Sequence, residues 1–401
     1  MGAAPSTAVQ VKADTHQSPG PSPTTPGVRR RRFVPRPGQK ALRTGERLHG
    51  VGERCGEGRV RGSRVSGWGA WVSPASQDQD RFALITPEGG TRRRRVVAGV
   101  FDGHGIKRGW GAPLAEQASA KLVAFDAAEG EPAASALDRA FLDFQAQHAV
   151  AYDAAIGRAM AHKCAAFEAQ HGFKPPCAYP PEGGTTATVL VVEGDKLDVA
   201  WVGDSRCVIA TRAAEDPADD GISATALTID HCVGSNAAER ARVEAAGACT
   251  EGEYLGVDGA EGMLQVTRSL GDWAHHRNSV VLAAPQHLHL QLEDGHDFLI
   301  LASDGIWQRV DDAEACNFVH QRLQVLGRGC AALKCAAKDL ADLAHARFRA
   351  QDQRPDDAVV IVLNLAPADT PRADALEVDF DTSPSGVIIR KLAVPSAQRG
   401  S

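Results

Sequence analysis

The sequence predicts a mixed α+β fold on three observations. Short apolar runs rich in Val, Ile and Phe recur between tight turns, most regularly over 185–192, 196–202 and 206–211, with Gly203, Asp204 and Ser205 turning the chain between the last two. Ala-rich stretches with apolar residues at helical spacing stand apart from those runs, at 110–125, 133–173 and 330–347. Third, three apolar runs carry a carboxylate at one end: Asp102 in VFDGHG, Asp304 in LASDGIW, and the pair Asp356 and Asp357 in PDDAVVIV.

Taken in order, residues 1–60 read as a disordered tail. SPGPSPTTPG is Pro-rich, Arg29 to Arg32 are a block of like charge, and neither has an apolar period whose burial could offset the entropy of ordering. The start, Met-Gly-Ala-Ala-Pro-Ser, fits the N-myristoylation pattern, with Gly2 exposed once Met1 is removed and Ser6 at the expected hydroxyl position. One acyl chain binds a membrane only marginally. Arg29 to Arg32, Arg36, Lys40 and Arg43 could add an electrostatic signal, although the same cluster also reads as a nuclear signal or a solvated tail. Ser18, Ser22 and Thr25 each precede Pro, and phosphate there would weaken attraction to lipid. Cys55 and Arg61 have the spacing of a cysteine-dependent phosphatase loop, but the strand before and helix after that such a loop needs are lacking, so this reading is rejected.

The globular part is expected over 63–365. Strands are predicted at 70–72 and 81–85 around the loop SPASQDQD, and at 96–101. The Ala-rich helices follow, up to a Pro/Gly break at KPPCAYPPEGG. After the strands at 185–211, a helix starts at Ser235 or Asn236 and stops at Gly247, inside a flap of about 232–265 whose Gly-rich 250s look irregular and mobile. Strands are predicted at 264–267, 280–282, 287–291 and 298–301, helices at 316–325 and 330–347, and a last strand at 358–365. Residues 366–401 return to tail composition, with an acidic patch at 374–381.

Composition narrows the function. The chain has 401 residues, 43% of them hydrophobic, enough for one large core or two smaller ones. A formal net charge of -6 argues against general nucleic-acid binding. Nine Cys, an odd number without paired or zinc-finger spacing, suit reduced thiols in a cytoplasmic or nuclear protein. No apolar run reaches the length of a membrane span, so membrane association is expected to be peripheral.

An Asp-Gly turn after a strand often does no more than cap backbone N–H groups. Three such carboxylates at strand ends can converge if the strands are neighbours, and converging buried carboxylates repel unless a cation lies between them. Oxygen ligands select a hard divalent cation, and the scattered Cys and His form no zinc set.

These acidic turns, in this order, resemble the metal-dependent serine/threonine protein phosphatases of the PPM, or type 2C, family. The matching pieces are QDRF (Gln79 to Phe82), VFDGHG (Val100 to Gly105), GGTTA (Gly183 to Ala187), VGDSR (Val202 to Arg206), LTIDH (Leu227 to His231), VTRSLGD (Val266 to Asp272), LASDGIW (Leu301 to Trp307) and PDDAVVIV (Pro355 to Val362), spread across about 300 residues. The resemblance implies a four-layer sandwich, two antiparallel β-sheets packed face to face and flanked by helices, with two Mg²⁺ or Mn²⁺ ions in a cleft at one end. It implies that Asp102 bridges both ions, that the Gly103 carbonyl binds one, and that Asp304 and Asp356 bind the other, with Asp204 on a third, weaker ion. A water shared by two such cations would attack the phosphorus while His104 protonates the departing alkoxide.

Three departures from the family pattern stand out. Gln79 replaces a common Glu as outer partner of the second ion, with Asp78 or Asp80 as neighbouring carboxylates, and Gln308 replaces a common Asp. SPASQD lacks the phosphate-binding Arg of some members, for which Arg64 and Arg81 are the candidates. The expectation is a monomeric hydrolase of phosphoserine and phosphothreonine in proteins, cytoplasmic, with attachment at a membrane or a nuclear location as the alternatives the tail leaves open. The rival is a pseudophosphatase that keeps the fold as a binding module, against which stands the cost of burying Asp102, His104, Asp304 and Asp356 without metal.

Overall fold

A computed structural model describes residues 54–59, 64–75, 78–85, 95–105, 111–128, 130–150, 183–212, 221–260, 262–366 and 388–389. Gly2, the basic cluster at 29–43, Ser18, Ser22, Thr25, Arg61 and the acidic patch at 374–381 lie outside them, as do residues 151–182 of the expected helical region.

Strand pairing assembles two six-stranded sheets. The first contains, in spatial order, β1 (Arg54–Arg59), β2 (Val65–Ser73), β16 (Ala358–Leu365), β15 (His296–Ala302), β9 (Arg206–Arg212) and β10 (Ile222–Ala226), all antiparallel. The second runs β14 (Gln286–Gln291), β8 (Lys196–Val202), β7 (Ala187–Glu193), β4 (Arg95–Phe101), β3 (Arg81–Ile85) and β17 (Ile388–Ile389). It departs from the antiparallel expectation only at its edge, where β17 pairs with β3 in parallel.

Central strands such as β4 and β16 are buried along nearly their whole length, and their sequences RVVAGVF and AVVIVLNL are correspondingly continuous apolar runs. Alternate side chains point to opposite faces of each strand. One set, including Trp68, Leu84, Val100, Leu190, Leu299 and Ile361, meets between the sheets as the inner core. The other set of the first sheet, with Trp71, Phe298, Ile300 and Val362, packs on α5 (Asp312–Leu326) and α6 (Cys330–Ala350). On the second sheet, Val97, Phe101, Val189 and Val191 pack on α1 (Gly111–Leu122) and on α2 (133–150), whose Leu137, Phe141 and Phe144 are buried. Helix, sheet, sheet, helix is the expected four-layer sandwich.

The stretches 1–60 and 366–401, read as tails, contribute the edge strands β1 and β17, whose backbones pair with the open edges of β2 and β3, and two further local expectations are corrected. The flap is built rather than irregular: α3 (Ala237–Ala245), N-capped by Asn236, packs with the hairpin β11 (Cys249–Glu251) and β12 (Tyr254–Gly256) around a small core of Val233, Val243, Leu255, Val280 and Val281. The runs at 264–267 and 280–282 are not strands and make only isolated bridges, because their apolar side chains are used by the flap and its seat rather than by a ladder. A three-stranded ribbon, β13 (Leu270–Gly271), β6 (Gly183–Thr185) and β5 (Gly103–Gly105), closes one end of the sandwich.

Candidate metal centre and its histidine

At that end, five chain segments deliver carboxylates to one cavity of about 560 Å³, lined by Gln79, Asp102, Gly103, His104, Asp204, Asp272, Asp304, Asp356 and Asp357 among others. Asp102 sits where β4 passes into β5, and its backbone is fixed by Thr186, which donates its N–H to the Asp102 carbonyl at 2.8 Å. Asp304 opens α4 (Asp304–Trp307) directly after β15, and Asp356 lies just before β16, the neighbour of β15. The carboxyls of Asp80 and Asp304 both come within hydrogen-bond reach of Asp102.

Burial first, and then mutual repulsion, raises the acids. Asp102 is pushed well above the usual carboxylate range by burial and by Asp80, Asp304, Asp204 and Asp356. Asp80 is raised by burial and by Asp357, and Asp304 is pushed up to about 7 by burial, Asp204 and Asp356. Charges gathered this way favour a cation strongly. The donor set is all oxygen, and Gln79, which lines the same cavity, has a buried Oε1 with no hydrogen-bond partner among the described residues. Both observations fit a hard divalent cation. Among the described residues no group of three His, Cys, Asp or Glu side chains is arranged to hold an ion by itself, so backbone carbonyl and water oxygens would complete its shell.

The ribbon places the histidine. His104 pairs with Gly184, which also faces Gly271, so Asp272 follows immediately beside the imidazole. His104 Nε2 is 2.7 Å from Asp272 Oδ2, and Ser269 Oγ donates to the same oxygen at 2.6 Å. Only a glycine admits this contact: a Cβ on Gly184 would come within 2.1 Å of Asp272 Oδ2 and 2.6 Å of His104 Nε2. Burial opposes the imidazolium, yet the charge and hydrogen bond of Asp272, with Asp204 and Asp304, leave the His104 pKa raised. Asp272 is lowered overall, since His104 and Ser269 outweigh its burial.

Other residues settle into supporting positions. Asp80, almost fully buried, accepts from Ser303 Oγ at 2.7 Å. Asp357 accepts from the backbone N–H groups of Ala75 and Gln79 at 2.7 and 2.9 Å and so holds the β2–β3 loop against the cavity. Asp78 turns away to face Arg81. Gln308 donates its amide to Asp304, supplying a hydrogen bond where a further carboxylate would add charge. Cys232 donates its thiol to Asp204 at 3.2 Å.

The two candidate phosphate-binding arginines do not enter the cavity. Arg64 precedes β2, at the opposite end of that strand from the site, where it is buried against Asp294 and Asp195. Arg81 uses one Nη on the carbonyls of Asp78 and Asp80. Asp272, Ser269 and Gly184 lie inside the matching motifs VTRSLGD and GGTTA, but neither motif by itself assigns them a task. The Gly-Gly pair opposite DGHG was the available signal.

The protein phosphatase 2C family model matches residues 87–352, two thirds of the chain and all of this site except Gln79, Asp80, Asp356 and Asp357. The chain belongs to the protein phosphatase 2C family. It is 32% identical over 275 residues to the Arabidopsis thaliana protein named Probable protein phosphatase 2C 25, a match covering 68% of this chain and 59% of that relative. With the rice protein named Probable protein phosphatase 2C 16 it shares 33% identity over 172 residues, covering 37% of this chain and 31% of the relative. The chain thus spans well under two thirds of the length of these relatives. Among solved structures, a serine-threonine phosphatase 2C from Toxoplasma gondii aligns with a TM-score of 0.54 at 17% identity, covering 80% of this chain and 98% of that one. That likeness is one of fold, and the phosphatase 2C sandwich is the fold built above.

Proposed function

We propose that this chain is a metal-dependent protein serine/threonine phosphatase, hydrolysing phosphoserine and phosphothreonine in proteins. The observation that carries the reading is the convergence of Asp102, Asp204, Asp304 and Asp356 on one cavity that also receives a histidine backed by a buried aspartate. Asp102, the Gly103 carbonyl, Asp304 and Asp356, with Asp204 and Gln79 at the margin, are the groups that would hold Mg²⁺ or Mn²⁺. Such cations supply Lewis acidity, lowering the pKa of water and offsetting charge on the phosphoryl oxygens.

The chain's own contribution is positioning and proton transfer. Asp272 holds His104 in its protonated form and fixes the ring through Nε2, which leaves Nδ1 to donate to the departing Ser or Thr alkoxide. The His104 side chain is 26% exposed, so a substrate in the cavity can reach it. Buried Asp272, bonded to Ser269, keeps the imidazole from swinging out. Retention of this polar set favours an enzyme over a pseudophosphatase.

The test is phosphate release from a phosphothreonine peptide by the purified full chain. Turnover with Mn²⁺ that chelator abolishes supports the reading, and no turnover at any Mn²⁺ concentration from folded protein refutes it. The proposal extends to a cytoplasmic monomer, held at membranes where Gly2 is acylated. Intact-mass analysis of protein made in eukaryotic cells checks that part, and an unmodified Gly2 would remove it.

A further inference from the structure

One wall of the acidic cavity is apolar. Tyr254, Met263 and Leu264 of the flap, with Val266 just beyond it, line the same cavity as the carboxylates. Tyr254 is 45% and Met263 43% exposed, so two large apolar side chains stand open to solvent on the wall of one cavity. The fold forces it. Alternation along β12 sends Leu255 into the flap core, where it is fully buried, and Tyr254 outward. Leu255 and Leu264 exchange backbone hydrogen bonds of 2.7 and 2.9 Å, which fixes Met263 beside the hairpin. The opposite face being already core, neither side chain can turn in.

The rim of this shelf is negative. Glu251, the partner of Tyr254 across the hairpin, is exposed, as are Glu253 and Asp258 close by along the chain. The nearby cations are engaged within the flap: Arg240 binds Glu244, Thr250 and the Gly252 carbonyl, and Arg277 binds the Gly259 carbonyl.

From this we infer that the flap shelf is a substrate-docking subsite, which takes a bulky apolar residue flanking the phosphorylated one and favours Lys or Arg beside it. The shelf is continuous with the cavity that would take the phosphoryl group, and its acidic rim complements a basic peptide and repels an acidic one. The inference rests on the proposed phosphatase activity and adds a substrate class to it: basic phosphopeptides with a Leu-like neighbour. Burying one such side chain in place of a small polar one is worth roughly tenfold in kcat/KM.

The experiment compares kcat/KM of the full chain for phosphothreonine peptides that differ only in flanking residues, Leu against Ser and Lys against Glu. A preference of about tenfold for Leu, collapsing in Tyr254→Ser/Met263→Ser, together with a preference for Lys that reverses in Glu251→Lys/Glu253→Lys, supports the subsite. Equal rates for all peptides, or preferences that survive in both variants, overturn it. p-Nitrophenyl phosphate, which has no flanking residues, separates the two readings in the wild-type protein: if it too is not hydrolysed, the phosphatase reading fails. Fluorescence anisotropy of the same labelled peptides then decides the shelf by binding, with the same preferences expected and their absence overturning it.

Discussion

His104 on β5 and Asp272 just after β13 meet at 2.7 Å through two glycine-bearing strand pairings, in a ribbon that belongs to neither main sheet. The buried aspartate favours the imidazolium form of His104 against the opposing effect of burial, and the glycine between them makes the contact possible. In the proposed reaction the pair would supply an acid whose orientation does not depend on substrate.

Asp272→Asn is therefore expected to lower kcat on a phosphothreonine peptide by roughly 10²-fold, because a neutral amide no longer holds the imidazolium. On p-nitrophenyl phosphate, whose leaving group needs no proton, the loss should be a small fraction of that. Comparing kcat on the two substrates checks it; equal losses would assign Asp272 a merely structural task.

Gly184→Ala drives a methyl group between Asp272 and His104. The expected result is a kcat defect resembling that of Asp272→Asn, with an additional folding cost of about 1–3 kcal/mol from overpacking a buried ribbon. Urea denaturation beside the two-substrate assay reads both effects.

Glu239 anchors the flap, accepting from Arg242 and Arg268 and from Thr267 Oγ at 2.7 Å while almost fully buried. Its carboxyl is held far below the usual range: burial works against ionisation, but those hydrogen bonds outweigh it. Glu239→Ala leaves two arginines without their shared partner and is expected to cost roughly 3 kcal/mol. Hydrogen exchange should locate the loss in α3 and the β11–β12 hairpin; an unchanged flap would show that the anchor is dispensable.

Stability should fall with acid in a defined window. His231 is lowered to about 4 by burial and by Arg268, and His276 to about 4 by burial. Both are neutral in the folded protein where the unfolded chain, with an ordinary pKa near 6.5, takes up protons. Their contribution is complete above about pH 6.5 and is lost as the pH falls toward 4, at up to about 1.4 kcal/mol per unit for each. Denaturation midpoints between pH 7 and 4.5 measure this slope, and His231→Gln should flatten it. A flat wild-type profile would contradict the assignment.

Much of this architecture was legible from pattern alone. The strands at 187–193, 196–202 and 206–212 match their predicted bounds within a few residues because apolar runs and Gly turns agree there. The start of α5 was placed four residues late, at Cys316 rather than Asp312, although Asp311 caps it by accepting from Glu314 N–H at 2.8 Å. The cavity-lining acids Asp102, Asp304 and Asp356 announced themselves as strand-end turns. Asp272 did not, since its partner lies 168 residues away and only the ribbon brings them together. Arg64 misled for the converse reason: closeness in sequence to the SPASQD loop hides the extended nine-residue strand β2, which runs from beside Arg64 to the first residue of that loop.

The central claim is that Asp102 organises a cation centre on which turnover depends. The most direct test is calorimetric titration of Mn²⁺ into the wild-type chain and Asp102→Asn, with phosphopeptide turnover measured on the same samples. The account predicts Mn²⁺ binding and turnover in the wild type and loss of both in the variant, by roughly 10²-fold or more in kcat. Wild-type turnover in Asp102→Asn, or a wild-type chain that turns over without binding Mn²⁺, would contradict it.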